Sequence, residues 1–189
     1  MDSSKRPDLR VQRTIKSIHD AFCDLLLEVP YEKMTVAMLC ERALVNKKTF
    51  YRYYPNLAEL LAVLQREIAM PYVEQTRGMR YPDDLEQVVR LFLTYSARQG
   101  TLYDHIVCNT DYAPILQTII IEMEEDRYSV SSAPDGWNEA EWALYMEYAT
   151  ETQLALYRKW VLDGRAVPVE RMVELACALI CHGGASLPA

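Results

Sequence analysis

Apolar residues recur at three- and four-residue intervals along almost the whole chain, and no long alternating run interrupts them. That periodicity predicts an all-α protein. Its first stripe is Ile15, Ile18, Phe22, Leu25 and Leu26, with Lys16, Asp20 and Asp24 opposite, giving a helix from about Arg10 or Thr14 to Glu28. Pro30 closes it. Thr35 is an N-cap residue for a short second helix, Val36 to Ala43, which turns Leu39 and Ala43 toward the first. Leu44, Val45 and Asn46 form a three-residue break. Asn46 then caps a third helix from Lys47 to about Tyr54, stopped by Pro55. Asn56 and Glu59 make a capping pattern for a fourth helix with Leu60, Leu61 and Leu64 inward, and Pro71 is expected to end or kink it.

Downstream, Asp83 to Arg98 presents Leu85, Val88, Val89, Phe92 and Tyr95 on one side. Tyr112 or Pro114 to Glu125 presents Ile115, Leu116, Ile119, Ile120 and Met123. Between Arg127 and Asn138, serines with Pro134, Asp135 and Gly136 are loop chemistry. A long helix follows from Asn138 to Val161, closed by Asp163 and Gly164, and a last one runs from Val169 to about Cys181. The expected organisation is a small N-terminal helical domain over residues 1–60 and a larger helical one over 61–189.

Charge changes the picture more than composition does. The 189 residues carry a net charge of −7, half of them are hydrophobic and a quarter charged, which is globular rather than disordered or membrane composition. Residues 1–60 hold ten Lys or Arg against eight Asp or Glu, a balance of +2, whereas 61–189 hold ten against nineteen, a balance of −9. A polyanionic partner would therefore meet the N-terminal end. The N-terminus shows no signal-peptide core and no apolar run is long enough to cross a bilayer, so the expectation is a cytoplasmic protein with no membrane partner. The five cysteines, Cys23, Cys40, Cys108, Cys177 and Cys181, are odd in number and scattered, which suits reduced thiols.

A longer helix bracing two short ones across a tight break is the helix-turn-helix arrangement. The third helix has the chemistry to enter a major groove. Lys47, Lys48 and Thr49 cluster at its N-terminal turn, where backbone amides favour phosphate. Arg52 can bond bidentately to guanine or grip a phosphate. Tyr51 and Tyr53 offer hydroxyls to phosphates, while Phe50 and Tyr54, four apart, point into the scaffold.

From Thr35 to Asn56, and above all in the block Thr49-Phe50-Tyr51-Arg52-Tyr53-Tyr54 followed by a capped helix, the sequence resembles the DNA-binding domain of TetR-type regulators. The likeness covers roughly a third of the chain. It implies an all-α homodimer whose N-terminal domains bind a palindromic double-stranded DNA operator and whose C-terminal domain dimerises and holds a small-molecule effector. It further implies that Thr35, Asn46, Lys47, Lys48, Thr49, Tyr51, Arg52 and Tyr53 form the DNA-binding surface, and that a repressor is the more frequent outcome than an activator. Two positions depart from the pattern: Leu44 stands where many members have glycine in the turn, and Leu57 where many have a phosphate-binding lysine.

Elsewhere the chemistry is thin. His105 and Cys108, and Cys177 and Cys181 beside His182, fall short of the three or four ligands that a metal site needs, so no metal and no cofactor are expected. Glu122 to Asp126 has no EF-hand spacing. Neither a nucleophile elbow, a phosphate loop nor a dinucleotide fingerprint is present, and the expectation is not an enzyme. The aromatic-rich C-terminal part offers Tyr103, His105, Trp142 and Tyr145 as effector-binding candidates, although aromatics fill cores equally often. Leu156, Trp160, Met172, Ala176, Leu179 and Ile180 on the last two long helices are candidates for a dimer interface. The alternative function is a regulator of the same fold that recruits another protein and takes no small ligand.

Overall fold

The computed structural model describes residues 9–109, 112 and 131–184, and among these all regular structure is helical. Contacts divide the chain into two compact units, Met1–Glu67 and Ile68–Ala189. The first contains eleven Lys or Arg against nine Asp or Glu (+2), and the second nine against eighteen (−9).

The first unit is built from α1 (Leu9–Glu28), a 3-10 turn (Tyr31–Lys33), α2 (Val36–Arg42), α3 (Lys47–Tyr53) and the first half of α4 (Leu57–Thr76). The apolar stripe of α1 goes inside as its spacing predicts, except that Ile15 is only half-buried. Ile18, Phe22, Leu25, Leu26, Leu39, Phe50, Leu60 and Leu61 are each no more than 3 % exposed. Each such side chain stabilises the unit by about 1.5–3 kcal/mol. Two polar ties fix α2 on α1. The Ser17 hydroxyl donates to the Ala43 carbonyl at 2.8 Å, and Arg42 forks onto both carboxylate oxygens of Glu28 at 3.0 and 2.5 Å. The hydrogen bonds from Arg42 hold the Glu28 carboxyl below its usual range.

Helix α4 does not end at Pro71 but runs on to Thr76. Proline has no N–H, so the Glu67 carbonyl four residues earlier loses its helical donor. The division between the two units falls directly after that carbonyl.

In the second unit, α5 (Leu85–Ser96), α6 (Thr101–Cys108), α7 (Glu139–Leu162) and α8 (Val169–Cys177) surround one core, and α8 widens into a π turn at Ala178–His182. Tyr81, Val88, Val89, Leu93, Met146, Ala149, Tyr157, Val173 and Ala176 are its most buried members. Helix α7 opens with a capping box in which Glu141 N–H donates to Asn138 Oδ1 at 3.0 Å and Asn138 N–H to Glu141 Oε2 at 2.8 Å. It closes through Gly164 and Arg165, both at positive φ, as the Asp163-Gly164 signal anticipates. Apart from Tyr112, the helix expected from Tyr112 or Pro114 to Glu125 lies outside the described residues, as does the first part of the loop after Arg127.

Candidate nucleic-acid interface

Two caps and one strained turn set the reading helix. Thr35 is extended (φ −124°) and its hydroxyl oxygen accepts from Met38 N–H at 3.2 Å, which leaves the hydroxyl proton free to donate outward. At the other end of α2, Leu44 N–H bonds to the Glu41 carbonyl and Val45 N–H to that of Cys40, the pairing of a Schellman motif. This motif needs a left-handed residue, and Leu44 supplies it at φ 55° with its side chain 93 % exposed. The departure from glycine seen in the sequence is thus a leucine in a left-handed conformation. Asn46 then turns the chain into α3: its Oδ1 accepts from Thr49 N–H at 2.8 Å and from the Thr49 hydroxyl at 3.0 Å.

The face this creates is cationic. Lys47, Lys48, Tyr51 and Arg52 are exposed and Tyr53 and Thr49 half-buried, while Phe50 is fully buried and Tyr54 nearly so. None of Lys47, Lys48 and Arg52 enters an ion pair among the described residues, whereas Lys16, Arg42, Arg90, Lys159, Arg165 and Arg171 all do. Asn46 and Thr49 are committed to each other as cap and capped residue, so their first role is to hold α3 in place. Leu57, in the first turn of α4, is half-buried.

Sequence reasoning missed the polar tie behind this face. His19 on α1 meets the Tyr54 hydroxyl through Nε2 at 2.7 Å and the Glu67 carboxylate through Nδ1 at 3.5 Å. Its signal was a histidine beside Ile18 at the edge of the apolar stripe. Tyr54 is consequently more than core: burial, and then Glu67, push its phenol pKa up, and its hydroxyl anchors the end of the reading helix.

The four effector-binding candidates fall in three settings. Trp142 and Tyr145 stack at 5.4 Å with planes 15° apart, and Trp137 and Tyr81 meet Tyr145 edge-on. Burial pushes the Tyr145 phenol pKa up to about 12. Tyr103 lies instead against Tyr157, at 5.8 Å. Fifteen residues of helix, about 22 Å, separate Trp142 from Tyr157. There Tyr157 bonds to the Ser96 carbonyl (2.9 Å) and Asp104 (2.6 Å), Arg165 pairs with Asp104 (2.7 Å), and the hydroxyls of Tyr103 and Ser96 meet at 2.7 Å. His105 faces Tyr112, ring to ring at 5.6 Å. Residues far apart in sequence build this polar cluster, and no local motif announces it. Thr150 Oγ1 and Gln153 Oε1 on α7 are buried with no hydrogen-bond partner among the described residues.

The dimer candidates do converge. Leu156 and Trp160 of α7 and Met172, Ala176 and Leu179 of the last helix line one groove of about 240 Å³, while Ile180 is buried in the core beside it. All five cysteines are free, and among the described residues no three His, Cys, Asp or Glu gather to hold a metal. No described helix is long and apolar enough to cross a membrane.

A braced pair of short helices, capped at both N-termini and carrying exposed cations on the second, has the form of a helix-turn-helix DNA-binding domain. Residues 18–64 match the model of the bacterial regulatory proteins of the tetR family, so the N-terminal unit is a DNA-binding domain of the TetR family. A relative from Bacillus subtilis (strain 168), the uncharacterized HTH-type transcriptional regulator YdeS, is 31% identical over 106 residues, 55% of this chain. The chain spans about half of that relative, 53% of its length. Among solved structures, the fatty acid degradation regulator FadR from Bacillus halodurans superimposes with a TM-score of 0.63 and 16% identity, covering 96% of this chain and 98% of that one. FadR from Bacillus subtilis in complex with stearoyl-CoA gives 0.62 and 16%, covering 89% and 98%. At these identities the likeness is one of fold.

Proposed function

We propose that this protein is a homodimeric transcription regulator, a repressor rather than an activator, that binds a palindromic operator through α3 and is controlled by a small-molecule effector held in the second unit. The observation that carries the reading is the trio Lys47, Lys48 and Arg52, exposed on a capped short helix and without ion pairs among the described residues. Three exposed cations within six residues of one short helix, with no carboxylate partner among the described residues, suit an external polyanion. Thr35, Tyr51 and Tyr53 would bond the phosphates that flank the groove. The α7–α8 groove supports dimerisation, because a second copy would cover its apolar wall. Two-fold symmetry would then set the reading helices about 34 Å apart, one turn of DNA.

The effector part of the reading draws on two further facts. In the second unit Thr150 Oγ1 and Gln153 Oε1 are buried with no hydrogen-bond partner among the described residues, and such groups are stabilised when a ligand bonds them. The Bacillus subtilis FadR structure, similar in fold, holds stearoyl-CoA. An effector that fits one spacing of the reading helices better than the other would shift DNA affinity by that difference alone.

The test is selection of genomic fragments by the purified protein, followed by a Lys48→Ala, Arg52→Ala double variant on the recovered operator. Loss of about tenfold or more in affinity is expected. A variant that binds as tightly as the parent overturns the assignment of the reading face.

A further inference from the structure

Helix α7 closes on a Schellman motif in which Arg165 N–H donates to the Trp160 carbonyl at 2.8 Å and Gly164 N–H to the Val161 carbonyl at 2.9 Å. Gly164, at φ 69°, supplies the left-handed residue that this motif needs. Arg165 follows at φ 57°, a second left-handed position that the motif does not require and that is sterically costly for an L-residue. Its side chain holds it there. The guanidinium lies 5.1 Å from the centroid of the Trp160 ring and donates through Nη2 to Asp104 Oδ2 at 2.7 Å, across 61 positions of chain. The Asp104 side chain is only 14 % exposed, and its other oxygen accepts from the Tyr157 hydroxyl at 2.6 Å. One carboxylate on α6 therefore holds both α7 and the turn that follows it.

That turn forms part of the wall of the α7–α8 groove. Ala166 and Val167, the two residues after Arg165, line the groove together with Trp160, and Trp160 Nε1–H donates to the Val167 carbonyl at 2.8 Å. Contacts run unbroken from Asp104 through Arg165 and Trp160 to Val167, so the position of α6 sets that of the wall. The groove is also where a second copy can approach. The second unit carries −9, and two copies repel each other through it. Lys159 and Asp163 are the charged residues that line the groove, and they neutralise each other at 2.7 Å. The rest of its lining, Leu156, Met172 and Leu179 among it, is apolar.

We propose that the Asp104–Arg165 pair is a positioning clamp for self-association: it holds the 163–167 turn in the shape against which a second copy packs, and so couples α6 to the dimer. The assignment rests on the dimer reading above and adds residues that act from outside the contact surface, since neither Asp104 nor Arg165 lines the groove. Such coupling runs both ways. A shift of α6 loosens the dimer, and dimer formation steadies α6.

The experiment measures the dimer dissociation constant of the full chain by analytical ultracentrifugation for Asp104→Asn, Arg165→Gln and the double variant. Asn keeps an acceptor for Tyr157, and Arg165→Gln leaves the Asp104–Tyr157 bond in place, so circular dichroism should show the parental helix content. Each single change should raise the constant about tenfold, and the double variant no more than either, because all three break the same pair. Arg165→Gln carries the test by itself should Asp104→Asn fail to fold. Arg171→Gln, which breaks an ion pair with Glu174 outside the groove lining, should leave the constant unchanged. In the parent, amide hydrogen exchange across Thr101–Cys108 should slow as rising concentration drives the dimer. In Arg165→Gln that slowing should be lost even where the variant dimerises, which a loss of stability alone would not produce. Folded variants with the parental constant, a double variant about a hundredfold weaker, or parental exchange in α6 that ignores dimerisation each overturn the clamp alone. A parent that stays monomeric at every concentration overturns both the clamp and the dimer reading on which it rests.

Discussion

Leu44 adopts φ 55° in the turn between α2 and α3, and its side chain, 93 % exposed, regains almost nothing from burial. An L-residue there carries a steric cost that glycine avoids. Leu44→Gly should therefore stabilise the first unit by about 1 kcal/mol, read as a shift in urea midpoint at constant slope. Asn46 separates holding from reading. Asn46→Ala removes the α3 cap at a cost of about 1 kcal/mol, whereas Asn46→Asp should restore stability yet bind DNA more weakly than the parent, because its carboxylate faces phosphate. Thermal melts and anisotropy titrations on the same three proteins check both halves. These residues were legible in the sequence because capping and turn chemistry are local. His19 and Tyr157 were not, since their partners Glu67 and Asp104 lie 48 and 53 positions away.

At the scale of elements, caps fixed most boundaries and periodicity fixed most faces. Helix α4 shows where a local rule yields. Pro71 was expected to end or kink it, and the helix continues through to Thr76. Buried neighbours on the same helix, Tyr72 and Thr76, hold the segment helical, and Thr76 donates to the Tyr72 carbonyl at 3.1 Å. Pro71→Ala should restore the bond to the Glu67 carbonyl and raise unfolding free energy by about 1–3 kcal/mol, measured by urea denaturation. Helix α6 escaped a separate assignment for the opposite reason. At eight residues it is too short to display a repeat, and it is held by contact with α7 rather than by its own pattern.

For the molecule as a whole, the second unit centres on tyrosines whose ionisation folding opposes. Burial raises the pKa of Tyr103 and of Tyr157, and the hydrogen bond from Tyr157 to Asp104 adds to the rise. A raised folded value means that stability is fully present below the unfolded tyrosine pKa of about 10 and is lost as pH climbs above it. Through these two phenols, unfolding free energy should fall as pH rises past about 10. Tyr157→Phe should flatten that alkaline fall by up to about 1.4 kcal/mol per pH unit. The same change should lower stability at neutral pH through the lost bonds to Ser96 and Asp104. Denaturant titrations at stepped pH measure both effects.

The partition of charge between the units, +2 against −9, also has a consequence in time. A molecule whose larger part is repelled by a polyanion and whose smaller part is attracted arrives already turned the right way. Fewer collisions are wasted on the wrong face, and capture from solution quickens. Ionic strength then acts twice: it shortens the life of the bound state, and it blurs the field that aims the encounter.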